Sequence, residues 1–389
     1  MESSAHPMHD LHASPDEHSF DRVRTGNDFT RAPGHVLMSP LGIGRAHVAV
    51  SGCVELDGPT AQAWFDRLPR PLRLRSLSPD FARADVRREP GLRCVHVGYR
   101  EGDACWLHSA HWRVVPGFGW AALSPYGYGG PLASDADPSF LQRAWSAYVE
   151  WARGRQLLGE FCRFHPEAGQ QVFFGGAVRA NRATISVALD REPLTEQYDT
   201  LARRKLRRSA AVPVRWSRAA ADWAVFGGFY REAMAAMGAH PRYHFGDDYF
   251  QALAALPGVE LCLCDPGDAW LSAGVYLFQQ PARPDAAGGG TVEYHLGASN
   301  AAGHALGTAY LMQHAAAQEG RRRGLLNLYL GGGTGPEADN PLLFHKRCFS
   351  RRERTFHIGR VVYDAPGFES YARSRGFDPA SAPPNLLFD

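Results

Sequence analysis

Apolar and polar side chains alternate over residues 92–99, Leu-Arg-Cys-Val-His-Val-Gly-Tyr, and the period of two predicts a β-strand. The turn Glu101-Gly102-Asp103 follows, and a second strand returns over 104–114. A third strand is predicted over 119–124. Asp137-Pro138 then opens a helix in which Phe140, Ala144, Ala147, Tyr148 and Trp151 share one face, and a fourth strand spans 157–164. The same succession recurs later: strand 259–264, turn Asp265-Pro266-Gly267-Asp268, strand 269–278, strand 291–298, a helix over 303–319 and a strand over 325–330. The spacing from first to last strand is 65 residues in one stretch and 66 in the other. Each is a hairpin and a third strand followed by a β-α-β crossover, which places two strands parallel.

This recurrence predicts an internal duplication: an α/β (α+β) chain of two tandem units, each a mixed, mostly antiparallel sheet. Residues 34–193 are expected to form the first unit, and 194–362 the second with its linking helices. Those helices are expected over 194–209 and 223–237, the latter carrying a core stripe of Phe226, Phe229, Tyr230, Ala233 and Met237. Residues 1–33 are polar and aperiodic and read as a disordered tail. Residues 363–389 form a C-terminal segment whose Pro379, Pro383 and Pro384 suggest an extended end. The Gly/Ala-rich stretch 281–290 reads as a mobile loop.

Composition narrows the partners. Lys plus Arg number 42 against 40 Asp plus Glu, a net charge of +2, too balanced for a dedicated DNA binder that displaces counterions. No apolar run approaches the roughly 18 residues of a membrane helix, and residues 1–25 lack the apolar core of a secretory signal. The expectation is a cytoplasmic protein. Its cysteines, Cys53, Cys94, Cys105, Cys162, Cys262, Cys264 and Cys348, are scattered without a C-x-x-C pair and read as reduced, mostly buried thiols. No metal site is expected, since paired ligands at zinc-knuckle spacing are missing and His6, His9, His12 and His18 lie in the tail without a carboxylate framework.

Candidate chemistry gathers after the strands. Ser124-Pro125-Tyr126-Gly127-Tyr128-Gly129-Gly130-Pro131 interleaves aromatics with glycines, so the backbone can approach a ligand while Tyr126 and Tyr128 offer flat faces and phenol groups. Asn300-Ala301-Ala302-Gly303 precedes a helix whose N-terminal backbone N–H groups are unpaired within the helix. On strand 291–298, Glu293, His295 and Gly297 are expected on one face, opposite Val292, Tyr294 and Leu296. His165 closes the corresponding strand of the first unit. Arg203, Arg204, Lys205, Arg207 and Arg208 cluster on one predicted helix and could receive phosphates, as could Arg321-Arg322-Arg323.

The most informative stretch runs from Leu328-Tyr329-Leu330-Gly331-Gly332-Gly333 to Asp339-Asn340-Pro341-Leu342-Leu343-Phe344-His345-Lys346-Arg347-Cys348-Phe349-Ser350. A glycine-rich strand end, an acidic residue, Leu, then Lys before Phe-Ser resembles the FemABX-like branch of the GNAT acyltransferase superfamily, with its BioF2-like acetyltransferase domains. Pro125 to Pro131, Arg163-Phe164-His165-Pro166, Tyr243-His244-Phe245, Tyr249-Phe250 and Tyr294 to Ser299 extend the resemblance over residues 91–350. Two departures stand out: His345 where the family has Phe, and an Asp-to-Lys spacing one residue longer.

The resemblance implies tandem GNAT units and transfer of an acyl or aminoacyl group to an amine acceptor, such as a cell-envelope or polysaccharide precursor. It implies no permanently bound cofactor and a co-substrate, acyl-CoA or aminoacyl-tRNA, so tRNA is a possible partner. Lys346, Glu293 and His295 are then the expected catalytic residues, Lys346 supplying positive charge. Tyr126, Tyr128, Gly129, Arg163, His165, Arg204 and Arg208 are expected to bind substrate, and Asn300, Gly303, Gly332 and Gly333 the donor. The rival expectations are an aminoacyl-tRNA-dependent peptide-bridge ligase and a non-catalytic module that binds a polysaccharide intermediate.

Overall fold

The computed structural model describes residues 52–279, 289–335, 337, 339–382 and 386–387. The expected N-terminal tail with its four histidines, and most of the expected 281–290 loop, lie outside the described residues. The strands are β1 Val54–Leu56, β2 Arg93–Glu101, β3 Ala104–Val115, β4 Gly119–Leu123, β5 Leu132–Ala133, β6 Leu157–Phe164, β7 Ala177–Ala188, β8 Val214–Ser217, β9 Val259–Cys264, β10 Ser272–Phe278, β11 Thr291–Ser299, β12 Asn327–Gly332 and β13 Arg352–Val362. The α-helices are α1 Gly58–Phe65, α2 Pro79–Asp85, α3 Pro138–Gly154, α4 Thr200–Ser209, α5 Ala220–Ala236, α6 Asp247–Ala254, α7 Ala301–Leu306, α8 Thr308–Arg322, α9 Pro341–Arg347 and α10 Ala365–Ser374.

All strands join one mixed sheet in the order β1-β2-β3-β4-β6-β13-β7-β12-β11-β10-β9-β8, with β5 paired to β3 off this path. The expected repeat is present. β2, β3 and β4 are antiparallel neighbours, and β4 runs parallel to β6 after α3. β9, β10 and β11 repeat the arrangement, and β11 runs parallel to β12 after α7 and α8. Two unforeseen strands weld the halves. β7 pairs with β12, and β13 is hydrogen-bonded to β6 on one edge and β7 on the other.

Helices cover both faces. Phe140, Ala144, Tyr148 and Ala152 of α3 pack with Trp106 and Trp112 in the first unit. Tyr310, Met312 and Ala316 of α8 pack on Tyr276 and Val292 in the second. The stripe of α5 buries Phe226, Tyr230 and Ala233 with Phe250 of α6 and Phe81 of α2, on the face occupied by Leu277 and Leu296. Each of the large apolar side chains among them, fully buried, contributes on the order of 2 kcal/mol.

Three expected elements differ. The helix predicted over 194–209 is broken: Leu194–Gln197 is a 3-10 turn, and Asp199 caps α4 through the Ala202 N–H at 2.8 Å. The helix predicted from 303 divides at Gly307, whose φ of +79° sits in the left-handed region that glycine tolerates. At the C-terminus, Leu386 and Leu387 are buried, and Leu387 packs with Leu158 and Phe368, so the expected extended end is anchored in the core.

Candidate functional site

Parallel pairing between β11 and β12 covers only Thr291–Asn327, Val292–Leu328 and Glu293–Tyr329. Beyond these pairs β11 stays with β10 while β12 stays with β7. The strands part, and a cavity of about 110 Å³ lies between them. Irregularities on both strands shape it. The register of β10 against β11 skips His295, which is the extra residue of a β-bulge. The β12–β7 register skips Leu330 and continues at Gly331, which has φ +76°.

The bulge overturns the expected face assignment of β11. Val292 and Tyr294 pack with Tyr276 on the α8 side, but Leu296 and Ala298 cross to the opposite face with Val275. Gly297 turns toward Tyr294, whose hydroxyl would lie 2.2 Å from a Cβ there. Glu293 and His295 nevertheless both line the cavity.

Lys346 comes from α9, a helix that Asn340 caps by accepting the Leu342 and Leu343 N–H groups at 3.1 and 3.2 Å. Asp339 is exposed. The buried Lys346 ammonium donates to Gly332 O at 2.6 Å. A Cβ on Gly331 would lie 3.4 Å from its Nζ and 3.8 Å from the Tyr128 hydroxyl, so both groups flank that glycine. Burial, and then the Arg182 charge, bring Lys346 down to about 7. Arg182 on β7 donates to Gly333 O and Thr334 O at 3.2 and 2.8 Å, and burial lowers it to about 10.

Glu293 is buried. Burial alone would raise its carboxyl, but the bond and charge of His165 and the Ser76 N–H at 3.3 Å hold it below the usual carboxylate range. His165 Nδ1 accepts the Glu167 N–H at 3.2 Å, so the ring proton belongs on Nε2, which faces Glu293 Oε2 at 3.4 Å. His165 stands behind the wall, with its ring 4.5 Å from Tyr128 and 4.4 Å from Tyr329. The Tyr128 and Tyr329 hydroxyls share a short hydrogen bond.

The cavity therefore gathers Lys346, Glu293, His295, Tyr126, Tyr128, Arg163, Gly332 and Gly333 from the expected residues. Gly129 sits beside it, its N–H bonded to Arg163 O at 2.8 Å. Arg204 and Arg208 are exposed on α4 and do not line it. Asn300 and Gly303 do not line it either. Asn300 Oδ1 accepts the Gly303 N–H at 2.8 Å, and a Cβ on Gly303 would meet Leu271 O at 2.0 Å. Arg182, Thr184, Ser76 and Phe356 are wall residues that no sequence motif marked, because they reach the cavity from β7, β13 and the turn before α2. His345 is buried with its ring 4.3 Å from Tyr310 and 5.5 Å from Phe349. Burial, followed by the Lys346 charge, brings it down to about 3. Uncharged, it packs as an aromatic ring against these two.

One further cluster lies in the first unit: His108, Glu160 and Cys162 bring a nitrogen, a carboxylate and a sulfur within 4.8 Å of one another. Four donors already converge on Glu160: His108 at 2.6 Å, Cys162 at 3.0 Å, and the Tyr148 and Tyr363 hydroxyls at 2.8 Å each. These bonds account for the cluster without an ion.

No family model matches the chain, and no curated protein matches its sequence. Among solved structures it is similar to the crystal structure of FemX, at TM-score 0.61 and 12% identity, covering 82% of this chain and 99% of that one. It is also similar to L-PGS from Bacillus licheniformis, at TM-score 0.51 and 11% identity, over 81% and 94% of the respective chains. At these identities the likeness is one of fold: the chain has a FemX-like fold, in which the same strand succession occurs twice in one sheet. Among the described residues, no helix is long and apolar enough to cross a membrane.

Proposed function

We propose that this protein is an N-acyltransferase of the cytoplasm that moves an acyl or aminoacyl group onto an amine of a cell-envelope or polysaccharide precursor. The observation that carries this reading is the parting of β11 from β12 around a cavity where Glu293, His295 and Lys346 meet. Amide formation needs two substrates in contact, a base for the acceptor ammonium and stabilisation of a tetrahedral oxyanion. Glu293, ionised and held by His165 and Ser76, attracts the acceptor ammonium. His295, brought by burial to about 4 and therefore neutral, takes one of its protons. The amine nitrogen then forms the C–N bond, and the Lys346 ammonium stabilises the oxyanion. The bond to the donor's sulfur or ribose oxygen breaks, and that leaving atom takes the second amine proton.

The donor of this reading is acyl-CoA, a co-substrate rather than a resident cofactor. Arg203, Arg204, Arg207 and Arg208 are exposed on α4, and Lys205 beside them packs on Gly307, where α7 meets α8. That basic face suits donor phosphates, and it is also the feature that favours aminoacyl-tRNA as the second reading. Titrating the purified chain with acyl-CoA and aminoacyl-tRNA at two salt concentrations separates them, because binding of a polyphosphate falls with log[salt] in proportion to the phosphates engaged. Steep tRNA binding without CoA binding would reverse the order. Failure of either donor to transfer its group to any amine would leave the non-catalytic module.

A further inference from the structure

The reaction proposed above needs a base in the cavity, and a neutral imidazole is a base on only one of its nitrogens. We propose that Asp85 and Tyr249 are positioning residues that hold His295 as its Nε2–H tautomer, so that the Nδ1 lone pair faces the acceptor; the inference rests on the acyl-transfer reading.

The three residues come from α2, α6 and β11, and no sequence interval connects them. His295 Nε2 lies 2.8 Å from the Tyr249 hydroxyl. That pair can share its hydrogen in two ways. If the phenol donates to Nε2, the ring proton sits on Nδ1, and the nitrogen left for a substrate is a donor. If the phenol donates elsewhere, Nε2–H donates to the phenol oxygen and Nδ1 is free to accept a proton.

Asp85 decides between them. It is fully buried, and although burial opposes its charge, Arg88, His111 and the Tyr126 N–H hold the carboxyl below its ordinary value. Its Oδ2 accepts the Tyr126 N–H at 2.7 Å and faces Arg88 Nε and His111 Nδ1 at 3.6 Å each. Its other oxygen, Oδ1, is buried without a hydrogen bond of ordinary geometry. The Tyr249 hydroxyl stands close enough to feel this carboxylate both as a charge and as an acceptor, and burial first, then that charge, push the phenol well up. A hydroxyl choosing between an anion and a neutral ring nitrogen turns to the anion, because charge-assisted hydrogen bonds are roughly twice as strong. The bulge then completes the arrangement by setting the His295 ring into the cavity wall.

The groups that face His295 are Asp85 and Phe81 from α2, Arg88 from the turn after it, Tyr126 from the loop after β4, Tyr249 from α6, and Glu293 from its own strand. The two carboxylates favour the imidazolium that forms when Nδ1 takes a proton, while Arg88 and burial oppose it. One proton passes from the acceptor ammonium to Nδ1, and His295 returns it to solvent after the amide has formed.

The tautomer is read directly by long-range proton–nitrogen NMR of the histidine-labelled full chain, with His295 assigned through His295→Gln. The expected wild-type spectrum shows Nε2 protonated and Nδ1 bare; a protonated Nδ1 overturns the proposal. Tyr249→Phe keeps the ring packing and removes the relay. It is expected to mix the tautomers and lower kcat about a hundredfold, with KM near wild type. A Tyr249→Phe protein with an unchanged His295 spectrum overturns the relay, even where transfer activity is intact. Because the spectrum needs no substrate, an Nε2–H ring that Tyr249→Phe scrambles supports the relay independently. Full activity in His295→Gln would instead remove the base from the proposed reaction.

Discussion

The two units share one topology and differ where the parallel strands end. In the second unit β11 and β12 part after Glu293 and Tyr329, and a cavity opens. In the first unit the chain leaving β4 stays fastened to β6: Ser124 N–H donates to Phe161 O at 3.1 Å, Arg163 N–H to Ser124 Oγ at 2.7 Å, and Gly129 N–H to Arg163 O at 2.8 Å. Behind that seam the interior is filled by Glu160 and its four donors. One unit is thus sealed and the other open. The sealed unit supplies wall residues, Tyr126, Tyr128 and Arg163, to its partner's cavity. Fold and site separate here, since identical topology carries an opening in one place and a plug in the other.

The contrast is broken most severely at Glu160. Glu160→Gln removes a fully buried charge whose donors remain, and breaking such a network costs about 3–5 kcal/mol. The expected result is a large fall in Tm, with kcat of the folded protein unchanged; equal losses in both would tie the plug to the site. The sign with pH follows from Glu160 being held at about 2, against burial, by His108, Cys162 and Tyr363. A depressed carboxyl contributes stability above its unfolded value that is lost as pH falls from about 4.5 toward 2. Denaturation followed across that window should show a steep acid limb in the wild type and a shallower one in Glu160→Gln.

In the open unit, Lys346→Met keeps the side-chain stem and deletes the charge. Turnover is expected to fall about a hundredfold, equivalent to roughly 3 kcal/mol of transition-state stabilisation, with Tm near wild type. Wild-type turnover would remove Lys346 from the site. Its ammonium form is present below about 7 and lost above, so kcat/KM should decline as pH rises through 7. Lys346→Arg, charged throughout, should carry the plateau to higher pH. A decline unchanged in Lys346→Arg would assign that limb to another group.

The smallest effect is expected on α4, outside the cavity. Arg204→Ala with Arg208→Ala should weaken donor binding severalfold and lower its salt slope by about 2, with kcat at saturation unchanged. An unchanged slope would make this basic face a solvated surface only.

Local pattern determined the repeat, because alternation in residues 92–99 and 259–264 and the apolar stripe of α3 record which face each residue buries. It also marked Tyr128, Glu293 and His295, since glycine-rich turns and a polar side chain on a core strand are exceptions to that pattern, while Lys346 was marked only by the resemblance of its motif. Tertiary structure alone decided the rest. β7 and β13 carry charged residues within their alternation and become central strands only because each finds two partners, so Arg182 and Phe356 reached the site unannounced. The bulge at His295 depends on β10 opposite it, and one extra residue reverses every facing that follows. Asp85, Tyr249 and His295 meet because three elements pack, and packing, unlike period, leaves no trace in the interval between residues.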